Sequence, residues 1–211
     1  MHTKPEFITF VGVDRQTDLI EADKLACEYP IEWGVLFPPN NNDVAYPSIE
    51  VVEQILNIGG RKSAHLCFDI ADEVVSSGSV PASVPLAHFE RVQINARGQS
   101  VPEGCFKKIQ DNYGVQAILQ LKGSVFNPVN GFQQIYDCSD GTGKLPEKVP
   151  PHPDGKTLVG YAGGIGPDTV SQYMEMIDKN GPFWIDMQSR IRTNGWFDLE
   201  KVRHVCELVY G

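Results

Sequence analysis

The chain has no surplus of positive charge. Its 211 residues carry 18 Lys and Arg against 27 Asp and Glu, a formal net charge of −9. That balance speaks against a nucleic-acid or anionic-membrane surface, since either partner needs a basic face. It also means that any anion site must be a local electropositive pocket. Cysteine is sparse: five residues, at 27, 67, 105, 138 and 206, lie far apart with no C-x-x-C pair. A disulfide scaffold is thereby excluded, and the set reads as reduced thiols of a cytoplasmic protein. Long apolar runs are missing too. The stretch Phe7–Val13 is too short to span a membrane and is expected to be a first strand, not a signal peptide. No low-complexity segment or linker divides the chain, so one domain with a sizeable core is expected.

What is present is alternation. Strand-like stretches fall at 7–13, 33–37, 63–68, 91–95, 115–121, 132–137, 157–161 and 183–187. Helical patterns lie between them at 18–28, 48–57, 70–76, 102–112, 168–179 and 198–209. In the last of these Leu199, Val202, Val205, Cys206 and Val209 share one face, and Asp198 stands as its N-cap. The connections around 123–131 and 138–156, broken by Gly, Pro and Asn, are expected to be irregular. Eight strands with six helices predict an α/β fold, a single (β/α)8 TIM barrel over residues 1–211.

Several strands carry polar residues on one parity. Gln116, Gln120 and Lys122 alternate with Ala117, Leu119 and Leu121; Gln93, Asn95 and Arg97 with Val92, Ile94 and Ala96. His65, Cys67 and Asp69 alternate in the same way, Gln133 and Asp137 share a parity with Ile135, and Asp186, Gln188 and Arg190 share one in the last strand. If the apolar parity packs under helices, the polar parity points into the barrel and crowds its C-terminal mouth. Each such group left unpartnered costs about 1–3 kcal/mol, so a mutual network, water or a ligand must satisfy them. The alternative is a set of antiparallel strands with a solvated face, which the intervening helices disfavour.

The most informative tract is Gly160-Tyr161-Ala162-Gly163-Gly164-Ile165-Gly166-Pro167-Asp168. A short strand runs into a glycine pair and then a helix start, so backbone N–H groups can approach an anion closely. Some twenty residues later a second strand delivers Gln188, Ser189, Arg190 and Arg192. A phosphate on the N–H groups of Gly163, Gly164, Gln188 and Ser189 is the expectation, at the place where barrels hold one. A tight strand-to-helix turn is the competing reading.

These segments resemble the phosphate-binding end of the phosphoribosylanthranilate isomerase family, whose Ala-Gly-Gly-(Leu/Ile)-x-Pro-Glu-x-Val motif compares with Ala162–Val170. The family's Asp-x-x-Ser-Gly-Val-Glu compares with Asp186–Arg192, and its Gly-x-Lys-Asp-x-x-Lys-(Ile/Val) with Gly195–Val202. Tyr136–Lys144 resembles the segment that supplies the family's general acid, and Gly34-Val35-Leu36-Phe37 with Pro39 resembles its second strand. The resemblance implies a TIM barrel that binds a phosphorylated sugar derivative and isomerises it, with Asp137 as general acid. The chain departs from the family elsewhere. Val11 stands where the family has its catalytic cysteine, and Asn42-Asp43 where it has the arginine that meets the anthranilate carboxylate. Gln93-Ile94-Asn95-Ala96 replaces Gln-Leu-His-Gly, and Arg190 and Arg192 replace the Gly and Glu of the strand-eight motif. Ordinary isomerase activity is therefore not expected.

Asp137 at a strand end is the leading acid or base; its other role would be to brace Thr142 and Gly143. Asp14, just past strand one, could replace the missing base or simply cap the next helix. Asp69, paired with His65, is a second candidate base; no third ligand fits, so no metal is expected. Lys122 could form a Schiff base, but reads better as an anion ligand or partner of Asp137. Arg97, Arg190 and Arg192 could clamp a second anionic group. No cofactor is expected, and a monomer or homodimer would suffice. The expected function is a proton-transfer isomerase or lyase acting on a small phosphorylated metabolite. A catalytically silent ligand-binding barrel is the alternative, and genuine phosphoribosylanthranilate isomerase a third reading.

Overall fold

Eight parallel strands close on one another in sequence order, β1(Ile8–Val11), β2(Ile31–Phe37), β3(Arg61–Leu66), β4(Arg91–Ile94), β5(Gln116–Leu121), β6(Gln133–Asp137), β7(Val159–Ala162) and β8(Phe183–Met187). Ile8, Thr9 and Phe10 of β1 pair with Ile185, Asp186 and Met187 of β8 and so complete the ring. This is the (β/α)8 architecture that the alternating pattern predicts. The computed structural model describes residues 3–37, 43–95, 102–121, 125–126, 131–137 and 143–211.

Helices α1(Leu19–Glu28), α2(Ile49–Leu56), α3(Phe68–Ser77), α4(Glu103–Tyr113), α5(Val170–Met176) and α6(Leu199–Tyr210) follow strands 1 to 4, 7 and 8. The outward residues of the strands, among them Phe10, Trp33, Val35, Phe37, Ala64, Val92 and Ile185, form the main core with the inner faces of these helices. Strand β2 is buried at every residue because helices cover one side and the barrel interior the other. Asp18 caps α1 by accepting from the N–H groups of Ile20 and Glu21, and Asp198 caps α6 in the same manner.

Two of the seven crossovers lack a helix among the described residues, as their broken composition implies. The 143–158 connection is held by side chains instead. Tyr161 donates to the carbonyl of Pro150, and the buried His152 ring stacks on Gly181 beside the Pro182 carbonyl. Helix α5 is shorter than the expected 168–179. The Gly166 carbonyl accepts from both Thr169 and Val170, spending the first turn on a tight bend, and Ile177 is already extended.

The 3-residue helical turn Ser189–Ile191 after β8 leads into a hairpin the sequence reading did not anticipate, β9(Arg192–Thr193) with β10(Trp196–Phe197). Its turn is Asn194-Gly195, with φ of 53° and 85°, the pairing that a two-residue hairpin with right-handed strand twist requires.

Inside the barrel the polar parity does point inward. At the floor Arg91 is 1% exposed and reaches three other strands. It donates through Nε and Nη2 to both carboxylate oxygens of Glu32 on β2, at 2.8 and 2.6 Å. Its Nη1 donates to Gln133 on β6 at 2.7 Å, and Nη2 reaches Thr9 of β1. The guanidinium lies against the stacked rings of Phe7 and Trp184, 4.6 and 4.3 Å from their centroids. Burial alone would push the Glu32 carboxyl up; the Arg91 charge and hydrogen bonds from Arg91, Thr9 and Ser63 outweigh it and hold its pKa below the ordinary value. Above this plug Ile118, Ile135, Ala162 and Trp184 fill the middle of the barrel. Gly160 is needed there, because a Cβ would collide with the Trp184 ring.

Candidate active site

The mouth of the barrel holds a cavity of about 180 Å³ bounded by the ends of β6, β7 and β8. It is lined by the glycine turn, Ala162 to Ile165, by Met187, Gln188 and Ser189, and by Asp137 and Asp186. Gly163 and Gly164 have φ of 99° and 74°, a backbone path open to glycine alone at low cost. A Cβ on Gly164 would also lie 2.6 Å from backbone atoms of Lys144 and Leu145. This turn is thus packed under the chain that returns from β6. The buried Thr169 hydroxyl donates to the Gly164 carbonyl at 2.7 Å and fixes the turn from the other side.

Arg190 completes the wall rather than entering the cavity. Its Nε donates to the Gly143 carbonyl at 3.1 Å, and its stem lies where a Cβ on Gly166 would be. It ties the β6, β7 and β8 loops together. Gly163, Gly164, Gln188 and Ser189 are therefore brought to one cavity, with Asp137 at its end.

Asp186 is the residue the sequence reading undervalued. Sitting on β8 one inward position below Gln188, it is 9% exposed, and its carboxyl pKa is raised well above the ordinary value. Burial is the main cause, and the negative charges of Asp137 and Glu32 add to it against the opposing charge of Arg91. These surroundings consequently favour the neutral form of Asp186. Asp137 accepts from the Gln120 amide at 3.3 Å. His65 of β3 lies with Nε2 4.0 Å from Asp186 Oδ2, within reach of an ion pair if it were charged. It is not charged near neutrality: burial lowers its pKa to about 4. The neutral ring instead shares a hydrogen bond with Ser63 at 3.1 Å.

The other expected bases lie elsewhere. Strand β3 ends at Leu66, and Phe68, at φ 51°, turns the chain into α3. Asp69 therefore leaves the inward parity predicted for it and sits exposed in the first turn of that helix. Asp14 is 1% exposed and fully engaged. Its carboxylate accepts from the N–H groups of Phe197 and Gln16 and from Arg192, at 2.8, 3.0 and 3.3 Å. Arg192 also donates to the carbonyls of Gly12 and Gly195. This pair latches the 192–197 hairpin over the end of β1 and leaves Arg192 no part in a ligand clamp. Arg97 and Lys122 lie outside the described residues. Among the described residues no cluster of three or more His, Cys, Asp and Glu side chains could hold a metal, and no helix is long and apolar enough to cross a membrane.

Val11, the last residue of β1, is 2% exposed and packs with Leu36, Ala45 and Cys67.

The sequence matches no family model, and a search of the curated proteins finds no relative. Solved structures do share the fold. N-(5′-phosphoribosyl)anthranilate isomerase from Pyrococcus furiosus superposes with a TM-score of 0.61 at 15% identity, over 95% of this chain and 96% of that one. Orotidine 5′-monophosphate decarboxylase from Methanocaldococcus jannaschii, complexed with the inhibitor BMP, superposes with a TM-score of 0.55 at 13% identity, over 99% and 100%. At such identities the likeness is one of fold.

Proposed function

We propose that the chain binds a small phosphorylated, sugar-derived metabolite and carries out a proton-transfer isomerisation, or a related lyase step, upon it. One observation carries this reading: a single cavity is lined by the Gly163-Gly164 turn, the Gln188-Ser189 bend and two aspartates, Asp137 and Asp186. The phosphate would rest on the backbone N–H groups of the glycine turn and of the Gln188-Ser189 bend. The names of both structural neighbours carry a 5′-phosphate, which agrees with that placement.

Asp137 and Asp186 would then divide the proton traffic. A buried carboxyl that keeps its proton near neutrality serves as the acid, while its neighbour takes a proton from the substrate. Asp186 is the donor in this scheme because burial and the Asp137 charge both favour its neutral form. Asp137 is the acceptor, poised by Gln120. Asp14 and Asp69, the bases suggested by the sequence, are replaced in this role by the pair that shares the cavity.

The test is a thermal-shift screen with phosphorylated sugars and inorganic phosphate, followed by deuterium wash-in from D2O for each compound that binds. A ligand at 100 times its Kd adds about 2.7 kcal/mol, which moves a melting point by several degrees. Binding with wash-in that Asp186→Asn abolishes supports the enzyme. Binding without wash-in supports a second reading, a ligand-binding barrel without catalysis, which the sealing of Val11 into an apolar cluster favours. The third reading, phosphoribosylanthranilate isomerase itself, predicts rescue of a tryptophan auxotroph lacking that enzyme; with no base at Val11, no growth is expected.

A further inference from the structure

Gly143, Gly164 and Ser189 line one cavity but belong to different connections, those that follow β6, β7 and β8. Close backbone approaches hold them together. A Cβ on Gly143, at φ 65°, would lie 3.1 Å from the Ser189 hydroxyl, and one on Gly164 would meet the backbone of Lys144 and Leu145. Residues 143–145 therefore form a strap that runs from the Gln188-Ser189 bend to the glycine turn. Among the described residues the strap makes one hydrogen bond: Arg190 Nε donates to the Gly143 carbonyl at 3.1 Å. The Arg190 stem is itself held, because it fills the space beside Gly166 that a side chain there would take. The Gly166 carbonyl in turn accepts from Thr169 and Val170, so the stem rests on the fixed bend that opens α5.

We propose that Arg190 is a positioning residue for the phosphate end of the site: by holding Gly143 it seats the strap against Gly164 and Ser189 and keeps the two halves of the cradle at a fixed spacing. Backbone N–H groups bind an anion well only when they are already in place, since ordering them at the moment of binding costs free energy. The glycine turn has its own brace in the Thr169 hydroxyl, so loss of the Arg190 tie frees the strap without unfolding the turn. This rests on the phosphate placement proposed above.

The experiment separates the tie from the charge. Glutamine carries its amide nitrogen as many bonds from Cα as arginine carries Nε, so Arg190→Gln can donate to Gly143 without a positive charge. Arg190→Met keeps the stem over Gly166 and donates nothing. Titrated with inorganic phosphate, the Gln variant should bind within about threefold of wild type and the Met variant about tenfold more weakly, the fold-change that one lost hydrogen bond supplies. Equal weakening in both variants would show that the Arg190 charge acts on the anion directly, and wild-type affinity in Arg190→Met would show that the tie is dispensable; either overturns the inference. Amide hydrogen exchange in the wild-type protein needs no variant. Phosphate should slow exchange at Lys144 and Leu145 together with Gly163 and Gly164, and protection of the glycine turn alone overturns the inference as well. If wild type binds no phosphate, the phosphate placement itself fails, and the role of Arg190 with it.

Discussion

Asp137 at the end of β6 and Asp186 on β8 line the same cavity, and the charge of Asp137 adds to burial in raising the Asp186 pKa. Two carboxyls made unequal by their surroundings are the usual basis for dividing acid from base.

Replacing Asp186 by Asn should remove a pH dependence of stability. A carboxyl whose folded pKa is raised contributes stability that is present below the ordinary value of 3.8 and lost as pH rises through the folded pKa. The Asn variant should therefore equal or exceed wild type in melting temperature at pH 7, by a margin that grows from pH 4 upward. Melting curves across that range check it, and a fixed offset at every pH would count against a protonated Asp186.

His65 works with the opposite sign. Its folded pKa of about 4 lies below the ordinary 6.5, so the neutral ring contributes stability above 6.5 that is lost as pH falls toward 4. The loss is on the order of 3 kcal/mol over that window. His65→Gln should flatten it in a urea titration repeated at several pH values.

The plug at the barrel floor should behave as a buried ion pair. Arg91→Met leaves the buried Glu32 with only the half-exposed Arg61, 3.7 Å away, as its cation and should cost about 3–5 kcal/mol, whereas Arg91→Met with Glu32→Leu should recover much of it. Denaturant unfolding of the two variants tests this; equal losses would show that packing of Arg91 against Phe7 and Trp184 dominates over its charge.

Asp14 separates a structural role from a catalytic one. As the latch of the 192–197 hairpin, Asp14→Asn should lower the melting temperature while leaving ligand affinity and deuterium wash-in unchanged. Loss of wash-in at full affinity would return Asp14 to the position of base.

Much of this was legible in the chain. The alternating pattern gives all eight barrel strands and six helices, and the inward polar parity foretells His65, Gln93, Gln120, Asp137 and Asp186 at the interior. The hairpin was not anticipated, although Asn194-Gly195 is a strong local turn signal, because the strand-eight segment was read through its likeness to another motif. Arg91 was passed over for a physical reason: a charged residue opening a strand looks like a solvated end until Glu32, Gln133 and two aromatic rings converge on it from distant positions. Asp69 was misplaced by the period-two pattern, which cannot register the positive φ at Phe68 that ends the strand. The fate of Asp14 likewise depends on Arg192, 178 residues away.

The most direct test of the account is calorimetric titration of inorganic phosphate and ribose 5-phosphate into wild type and Ser189→Asp. Gly164 is a poor site for this substitution, since any Cβ there meets the Lys144–Leu145 backbone. Ser189 is exposed at the cavity wall and can accept a negative charge without such a clash. The account predicts binding of both compounds to wild type and a loss of about tenfold or more in the variant, from one added like charge beside the phosphate. Absence of binding to wild type, or equal affinity in Ser189→Asp, would contradict it.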